Sequence, residues 1–281
     1  MNTKNNYNRQ MQGEEMNQFK SRSQKPFDKY EKMGTYHWVA GEQNPLYMEH
    51  VAYIKSIFAS AADMYPHNTV LDVGCGDGFI TKHLADLGLD VLAIDTNENG
   101  LRLARKQFGP IETRGTARFE NRDFFDLKEA PGFILASDVV EHLYRPDEFV
   151  NHLRALNPVV TVISTPLSRP DGKLWDPAYH VMEYGKDAFI NLFRGLIKDY
   201  GITYTVRPED HECKTQYLIL ERREEALNSL LKSMRLFRRE FVKRNGCQLE
   251  TLVALSDVDI KQISSSLVRM FNPEVMEEYD P

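Results

Sequence analysis

Cysteine is scarce in this chain: Cys75, Cys213 and Cys247 are the only three in 281 residues, and no two of them stand in Cys-x-x-Cys spacing. That excludes a disulfide framework and a zinc ribbon and points to a reducing compartment. Long apolar runs are also missing. None approaches the roughly 18 residues a membrane span needs, and the Asn-, Gln- and Lys-rich N-terminus has no apolar segment of the signal-peptide type. A cytoplasmic protein with no membrane partner is therefore expected. Nor is there an excess of positive charge: the formal net charge is -6, which gives no general attraction to phosphate backbones. Nucleic acid is thus an unfavoured partner, left open only by the local basic run Lys232, Arg235, Arg238, Arg239, Lys243 and Arg244. Internal repeats are absent, and residues 1–25 lack apolar periodicity, so they read as a disordered leader.

An apolar fraction of 42% over this length suffices for one α/β domain with additions. Its centre is Val70 to Gly78, Val-Leu-Asp-Val-Gly-Cys-Gly-Asp-Gly, an apolar strand running into three alternating glycines and then an amphipathic stretch from Phe79 to Leu87. Gly74, Gly76 and Gly78 let the backbone turn sharply and a ligand lie against it near a helix N-terminus. A dinucleotide fingerprint would need its third glycine at position 79, which is Phe79. Asp72 stands in the strand end, where it would repel a pyrophosphate and attract a cationic amino-acid ligand. A second strand, Val91 to Asp95, ends in a carboxylate able to accept both hydroxyls of a ribose.

These residues resemble the class I S-adenosylmethionine-dependent methyltransferases: Leu-Asp-Val-Gly-Cys-Gly-Asp-Gly looks like their first motif and Ala-Ile-Asp like their second. The resemblance covers roughly residues 64 to 222. It implies an α/β, Rossmann-like fold with a mostly parallel seven-stranded sheet and a terminal antiparallel hairpin. The residue pattern agrees, with strands over 70–74, 91–95, 117–122, 133–137 and 159–165 alternating with helices over 79–87, 97–107 and 146–156. A helix over 186–199 then leads to strands 201–207 and 214–221, joined by Pro208 to Cys213. Residues 26–64 read as a helical lid segment, with Tyr36, His37, Trp38 and, further along the chain, Tyr184 as substrate-side candidates. The three lid aromatics serve equally as glue between helix and core. Residues 223–281 read as a helical extension whose stripe of Leu227, Leu230, Leu231, Met234, Phe237 and Phe241 suits the core or a homodimer partner.

By the same resemblance S-adenosylmethionine would lie on Asp72, Gly74, Gly76, Gly78, Asp95, Thr96, Asp123, Phe124, Ser137 and Asp138. Asp123 reads equally as a loop-capping residue. The segment Ser137-Asp138-Val139-Val140-Glu141-His142 follows the fourth strand at the rim where open α/β sheets bind ligands. Asp138, Glu141 and His142, at i, i+3 and i+4, would share one face of a helical turn. The Glu-His pair resembles that of ubiquinone-biosynthesis O-methyltransferases. The larger set, with Thr165-Pro166 and then His180-Val-Met-Glu183-Tyr184, is similar to small-RNA 3′-terminal 2′-O-methyltransferases, where two Glu and two His hold a divalent ion. This chain has Asp138 for the first Glu and Leu167 where an Asn would follow Thr165-Pro166. The resemblance therefore implies Asp138, Glu141, His142 and His180 as ligands for Mg²⁺ or Mn²⁺, with His180 and then His142 as the base candidates. A capping box made by Asp138 and Glu141 accounts for the two carboxylates without an ion. The function expected is methyl transfer to a small-molecule hydroxyl, with RNA methylation and a non-catalytic cofactor-binding regulator as alternatives.

Overall fold

The computed structural model describes residues 27–229, apart from 130, 209–213 and 227. Seven strands form one sheet: β1 (Thr69–Val73), β2 (Asp90–Asp95), β3 (Thr116–Asn121), β4 (Phe133–Ser137), β5 (Val160–Pro166), β6 (Tyr200–Arg207) and β7 (Thr215–Arg222). Their order is β3-β2-β1-β4-β5-β7-β6, and only β7 runs antiparallel to its neighbours. This is the mostly parallel, Rossmann-like seven-stranded arrangement with a terminal antiparallel hairpin that the resemblance implied. The strand order reverses beside β1, so the ends of β1 and β4 open a crevice at the carboxyl edge.

Helices cover both faces. Before the sheet come α1 (Lys29–Met33), α2 (Tyr36–Gln43) and α3 (Pro45–Met64); within it, α4 (Phe79–Ala85), α5 (Glu98–Phe108), α6 (Pro146–Leu156) and α7 (Lys186–Leu192). Asn44 starts α3 by accepting the amides of Leu46 and Tyr47, and Asn97 starts α5 by accepting that of Gly100. Strand periodicity splits the core. Leu71, Val73, Ile134, Ala136 and Ile163 face Phe149, Leu153 and Phe189, while Val70, Leu135, Val162 and Tyr217 face Ile54, Phe58 and Leu84.

Two expectations change. The helix foreseen over 186–199 ends at Leu192 and continues as a 3₁₀ turn over Arg194–Leu196, because residues 185–196 tuck Phe189, Phe193 and Leu196 into the core. The segment before β1 is more than a lid: α3 buries Val51, Ile54 and Phe58 completely. The helical extension, its basic run and stripe, the leader, Cys213 and Cys247 lie outside the described residues, save for a few positions after Arg222. Among the described residues no helix is long and apolar enough to cross a membrane.

Candidate active site

A cavity of about 1480 Å³ lies along the carboxyl edge of the sheet, roofed by α1, α2 and the start of α3. It exceeds the roughly 300–1,000 Å³ typical of a single small-molecule pocket, so it has room for two ligands side by side. Its β1–β2 half is lined by Asp72, Gly74, Cys75, Asp95, Thr96, Asp123 and Phe124. Its β4–β5 half is lined by Ser137, Asp138, Glu141, His142, Pro166 and His180.

In the first half, Gly74, Gly76 and Gly78 all have left-handed φ values, 70°, 56° and 78°. The turn needs glycine most at Gly76, where a Cβ would come within 1.8 Å of the Tyr30 hydroxyl. Gly76 and Gly78 shape this turn from behind and do not line the cavity. Asp95 already accepts two backbone amides, Gly76 at 2.9 Å and Asn97 at 2.7 Å, so a ribose would use its remaining lone pairs. Burial raises its carboxyl above the ordinary range against those two bonds. Asp123 caps the short turn Phe124–Asp126 by accepting the Phe125 amide at 3.0 Å, which is the loop-capping alternative.

Asp72 is the most informative group in this half. It is buried, bonded to the Thr81 hydroxyl at 2.5 Å, and burial pushes its carboxyl up to about 7. Among the described residues Asp72 has no ion-pair partner, and a carboxylate so buried at the edge of the cavity fits the ammonium of an amino-acid ligand.

The segment before β1 is tied to the glycine turn by a residue that sequence reading missed. Asp77 is fully buried; its two oxygens accept the His37 amide at 3.1 Å and pair with His37 Nδ1 at 3.0 Å, and its carbonyl accepts Trp38 Nε1–H at 2.8 Å. Tyr36 and His37 line the cavity, whereas Trp38 is such an anchor, edge-on to Phe79. Tyr184 is a core residue 4% exposed, its hydroxyl turned to the Val140 carbonyl, and so it lies away from the substrate side. Tyr30, stacked on Tyr36, and Phe27, edge-on to His142 at 5.3 Å, complete the roof.

In the second half, β4 ends at Ser137 and Asp138 takes a left-handed φ of 52°. The helical turn expected over 138–142 is instead a 3₁₀ turn, Val140–His142, that begins after Asp138 and has no side-chain cap. The capping box is therefore not formed. Glu141, His142 and His180 have ligand atoms within 4.8 Å of one another, and Asp138, exposed at the rim, is outside that group. The Glu141 carbonyl accepts the amides of Val181 and Met182, at 2.8 and 3.2 Å, and so docks the loop after β5 onto the turn after β4.

The imidazoles are oriented from behind. His142 Nδ1 donates to the Tyr179 carbonyl at 3.1 Å, and His180 Nδ1 meets Glu183 Oε1 at 2.6 Å; among the described residues neither Nε2 has a hydrogen-bond partner. Glu141 is wholly buried, with one oxygen on the Thr165 hydroxyl and the other unpartnered. Burial, aided by Asp138, raises its carboxyl well above the usual range, and burial lowers the His142 imidazole. Glu183, absent from the expected ligand set, has a second unpartnered buried oxygen. The His-x-x-Glu spacing was the signal that could have found it.

Residues 41–196 match the methyltransferase domain family. The ubiquinone biosynthesis O-methyltransferase of Paramagnetospirillum magneticum is 28% identical over 148 residues, covering 48% of this chain and 59% of that protein. The mitochondrial protein of the same name from Bos taurus is 34% identical over 89 residues, covering 29% and 23%. The chain thus spans less than two thirds of the curated relatives it matches. Among solved structures, a magnesium protoporphyrin IX methyltransferase of Synechocystis with bound S-adenosylhomocysteine superposes with a TM-score of 0.54 at 17% identity, over 69% of this chain and 96% of that one. The methyltransferase domain of bacterial CtHen1-C gives 0.51 at 16%, over 63% and 98%. At such identities these structures establish the fold.

Proposed function

We propose, starting from the methyltransferase domain family to which this chain belongs as an S-adenosylmethionine-dependent enzyme, that it methylates a small-molecule hydroxyl held beside a divalent ion. S-adenosylmethionine supplies an electrophilic sulfonium methyl. The residues present fit it: Asp72 offers a buried anion for the ammonium, and Asp95 has lone pairs left for the ribose.

The observation that carries the acceptor reading is the trio Glu141, His142 and His180, each of which offers a ligand atom within 4.8 Å of the other two, beside an unpartnered buried oxygen on Glu141. Such mixed carboxylate and imidazole donors suit Mg²⁺ or Mn²⁺ with open positions, where a bound hydroxyl becomes more acidic. Glu183 and the Tyr179 carbonyl fix the imidazoles, and Phe27 stands edge-on against His142. The curated relatives are named as O-methyltransferases, which supports an oxygen acceptor.

The test is release of S-adenosylhomocysteine by the full chain with a panel of phenols, sugars and catechols. Turnover with at least one hydroxylated compound, removed by chelation and restored by Mn²⁺ or Mg²⁺, is expected. Turnover only with RNA, or chelator-insensitive turnover in metal-free protein, overturns the reading.

Asp72 yields a second expectation. Its folded carboxyl, near 7, lies above the ordinary range, so ionising it destabilises the ligand-free protein progressively as pH rises from about 4 towards 7. An ammonium opposite Asp72 favours the ionised form. Cofactor affinity should therefore rise with pH, by up to about tenfold per unit below pH 7, and then level off. Calorimetry in buffers of different ionisation enthalpy should show a proton released on binding near pH 6, and Asp72→Asn should abolish that release.

A further inference from the structure

Ser137, Ser164 and Tyr217 form a row across β4, β5 and β7: Ser137 pairs with Ser164, and Ser164 with Tyr217, in the strand registers. One imidazole bridges the two ends of that row. His50, a buried residue of α3, places Nδ1 2.7 Å from the Tyr217 hydroxyl and Nε2 3.0 Å from Ser137 Oγ. Among the described residues, His50 Nδ1 is the partner recorded for the Tyr217 hydroxyl, and Tyr217 is fully buried. A buried hydroxyl donates its hydrogen, so Tyr217 donates to Nδ1, the proton of the imidazole sits on Nε2, and Nε2–H donates to Ser137 Oγ. Ser164 Oγ–H donates to the same oxygen at 2.9 Å, the shorter of its two contacts, Asp138 Oδ1 lying at 3.5 Å. Both lone pairs of Ser137 are then used, and its own O–H remains as a donor at the cavity wall.

What that donor meets follows from the strand register. Asp72 of β1 pairs with Leu135 of β4, and Ser137 is two residues beyond Leu135, on the same face as Asp72. With strands ~4.8 Å apart and ~6.6 Å for two residues of rise, the two Cα atoms are ~8 Å apart. Two side chains reaching inward from that separation span an α-amino acid zwitterion, with Asp72 at the ammonium and Ser137 at the carboxylate.

We infer that Ser137 is the donor to the amino-acid carboxylate of the cofactor, and that His50 is a positioning residue that turns the Ser137 hydroxyl towards it. This rests on the cofactor being S-adenosylmethionine and is independent of the acceptor and the ion. Because His50 belongs to α3 and Ser137 to β4, the bond also links the segment before the sheet to the methionine end of the site.

The test is calorimetry on the full chain with two probes: S-adenosylhomocysteine, and 5′-methylthioadenosine, which keeps the adenosine and thioether and lacks the amino-acid end. Ser137→Ala should weaken S-adenosylhomocysteine about tenfold, the usual scale for a hydrogen bond to a charged group, leave 5′-methylthioadenosine unchanged, and be rescued by Ser137→Thr. Tyr217→Phe, which keeps the ring in the core, should produce a smaller loss confined to the same probe, since it frees His50 to take the other tautomer. His50→Phe combined with Ser137→Ala should be no worse than Ser137→Ala alone, since each removes the same interaction. Unchanged S-adenosylhomocysteine affinity in Ser137→Ala, a parallel loss for both probes, or additive losses in the double variant would each overturn the inference. Wild-type protein that bound neither probe would instead contradict the cofactor itself.

Discussion

Phe58→Ala is expected to lower the unfolding free energy by about 3–5 kcal/mol, the range for truncating a fully enclosed aromatic ring. Phe58 has no exposed surface, packs its ring 6.2 Å from that of Phe133, and lies in the cluster formed by α3, α4 and the adjoining sheet face. Phe58 belongs to a cluster of buried apolar side chains that includes Ile54, Leu84 and Phe133, so the loss combines transfer free energy with unreplaced contacts. Urea unfolding should show a lower midpoint with an unchanged slope. Phe58 is not among the residues that line the cavity, so S-adenosylhomocysteine affinity of the folded variant should be unaltered. The same packing changes what truncation would do. Deleting residues 27–64 should leave a protein that fails to fold, where a detachable lid would leave a folded and inactive one. A folded, cofactor-binding truncation would show that α3 is dispensable to the core.

The sheet was legible because its signals are local. The run Val70 to Val73 into Gly74, the apolar Phe133 to Ala136 and the Pro146 start of α6 each declare an element within a few residues, and alternation of strand and helix leaves few topologies open. In the site, Asp72 and Asp95 were legible for the same reason, since each stands at or next to the end of a strand beside the turn it serves. What escaped depends on partners distant in sequence. His50 reads as one polar position in an amphipathic helix; only folding brings it to Ser137, 87 residues away, and to Tyr217, 167 residues away. Asp77 reads as a turn residue until α2 places His37 on it. Asp138 was grouped with Glu141 and His142 by helical spacing, yet the chain turns left-handed at Asp138 and a tight 3₁₀ turn follows. That turn is pinned from outside by Val181 and Met182, which no local pattern contains. Tyr184 follows a candidate ligand loop, but its ring is recruited into the core with Phe189.

Substituting Glu141 should separate ion binding from folding, because the two effects carry opposite signs. Without an ion, Glu141 is a wholly buried carboxyl whose ionisation is opposed by burial and by Asp138. Glu141→Gln preserves its shape and an oxygen for the Thr165 hydroxyl while removing the charge, so the ion-free variant should be as stable as the parent or slightly more so. Its Mn²⁺ affinity, however, should fall by at least about 100-fold, since the only anionic member of the trio is gone. His180→Ala should act on the ion similarly. Glu183→Gln should cost about tenfold, as expected of a residue that orients a ligand and does not touch the ion. Metal must displace the proton that burial favours on Glu141, so Mn²⁺ affinity of the parent should rise with pH and binding should release protons. Calorimetry with Mn²⁺, paired with urea unfolding of the metal-free proteins, measures both signs. The opposite pattern, in which Glu141→Gln destabilises the fold by 1 kcal/mol or more (on the order of a lost buried hydrogen bond) and Mn²⁺ binding is absent or unaltered, would make Glu141 a strut between the turn after β4 and Thr165. Catalysis would then have to rest on His180 or His142 acting as a base, and a pH-rate profile displaced by His180→Ala, but insensitive to chelators, would identify that case.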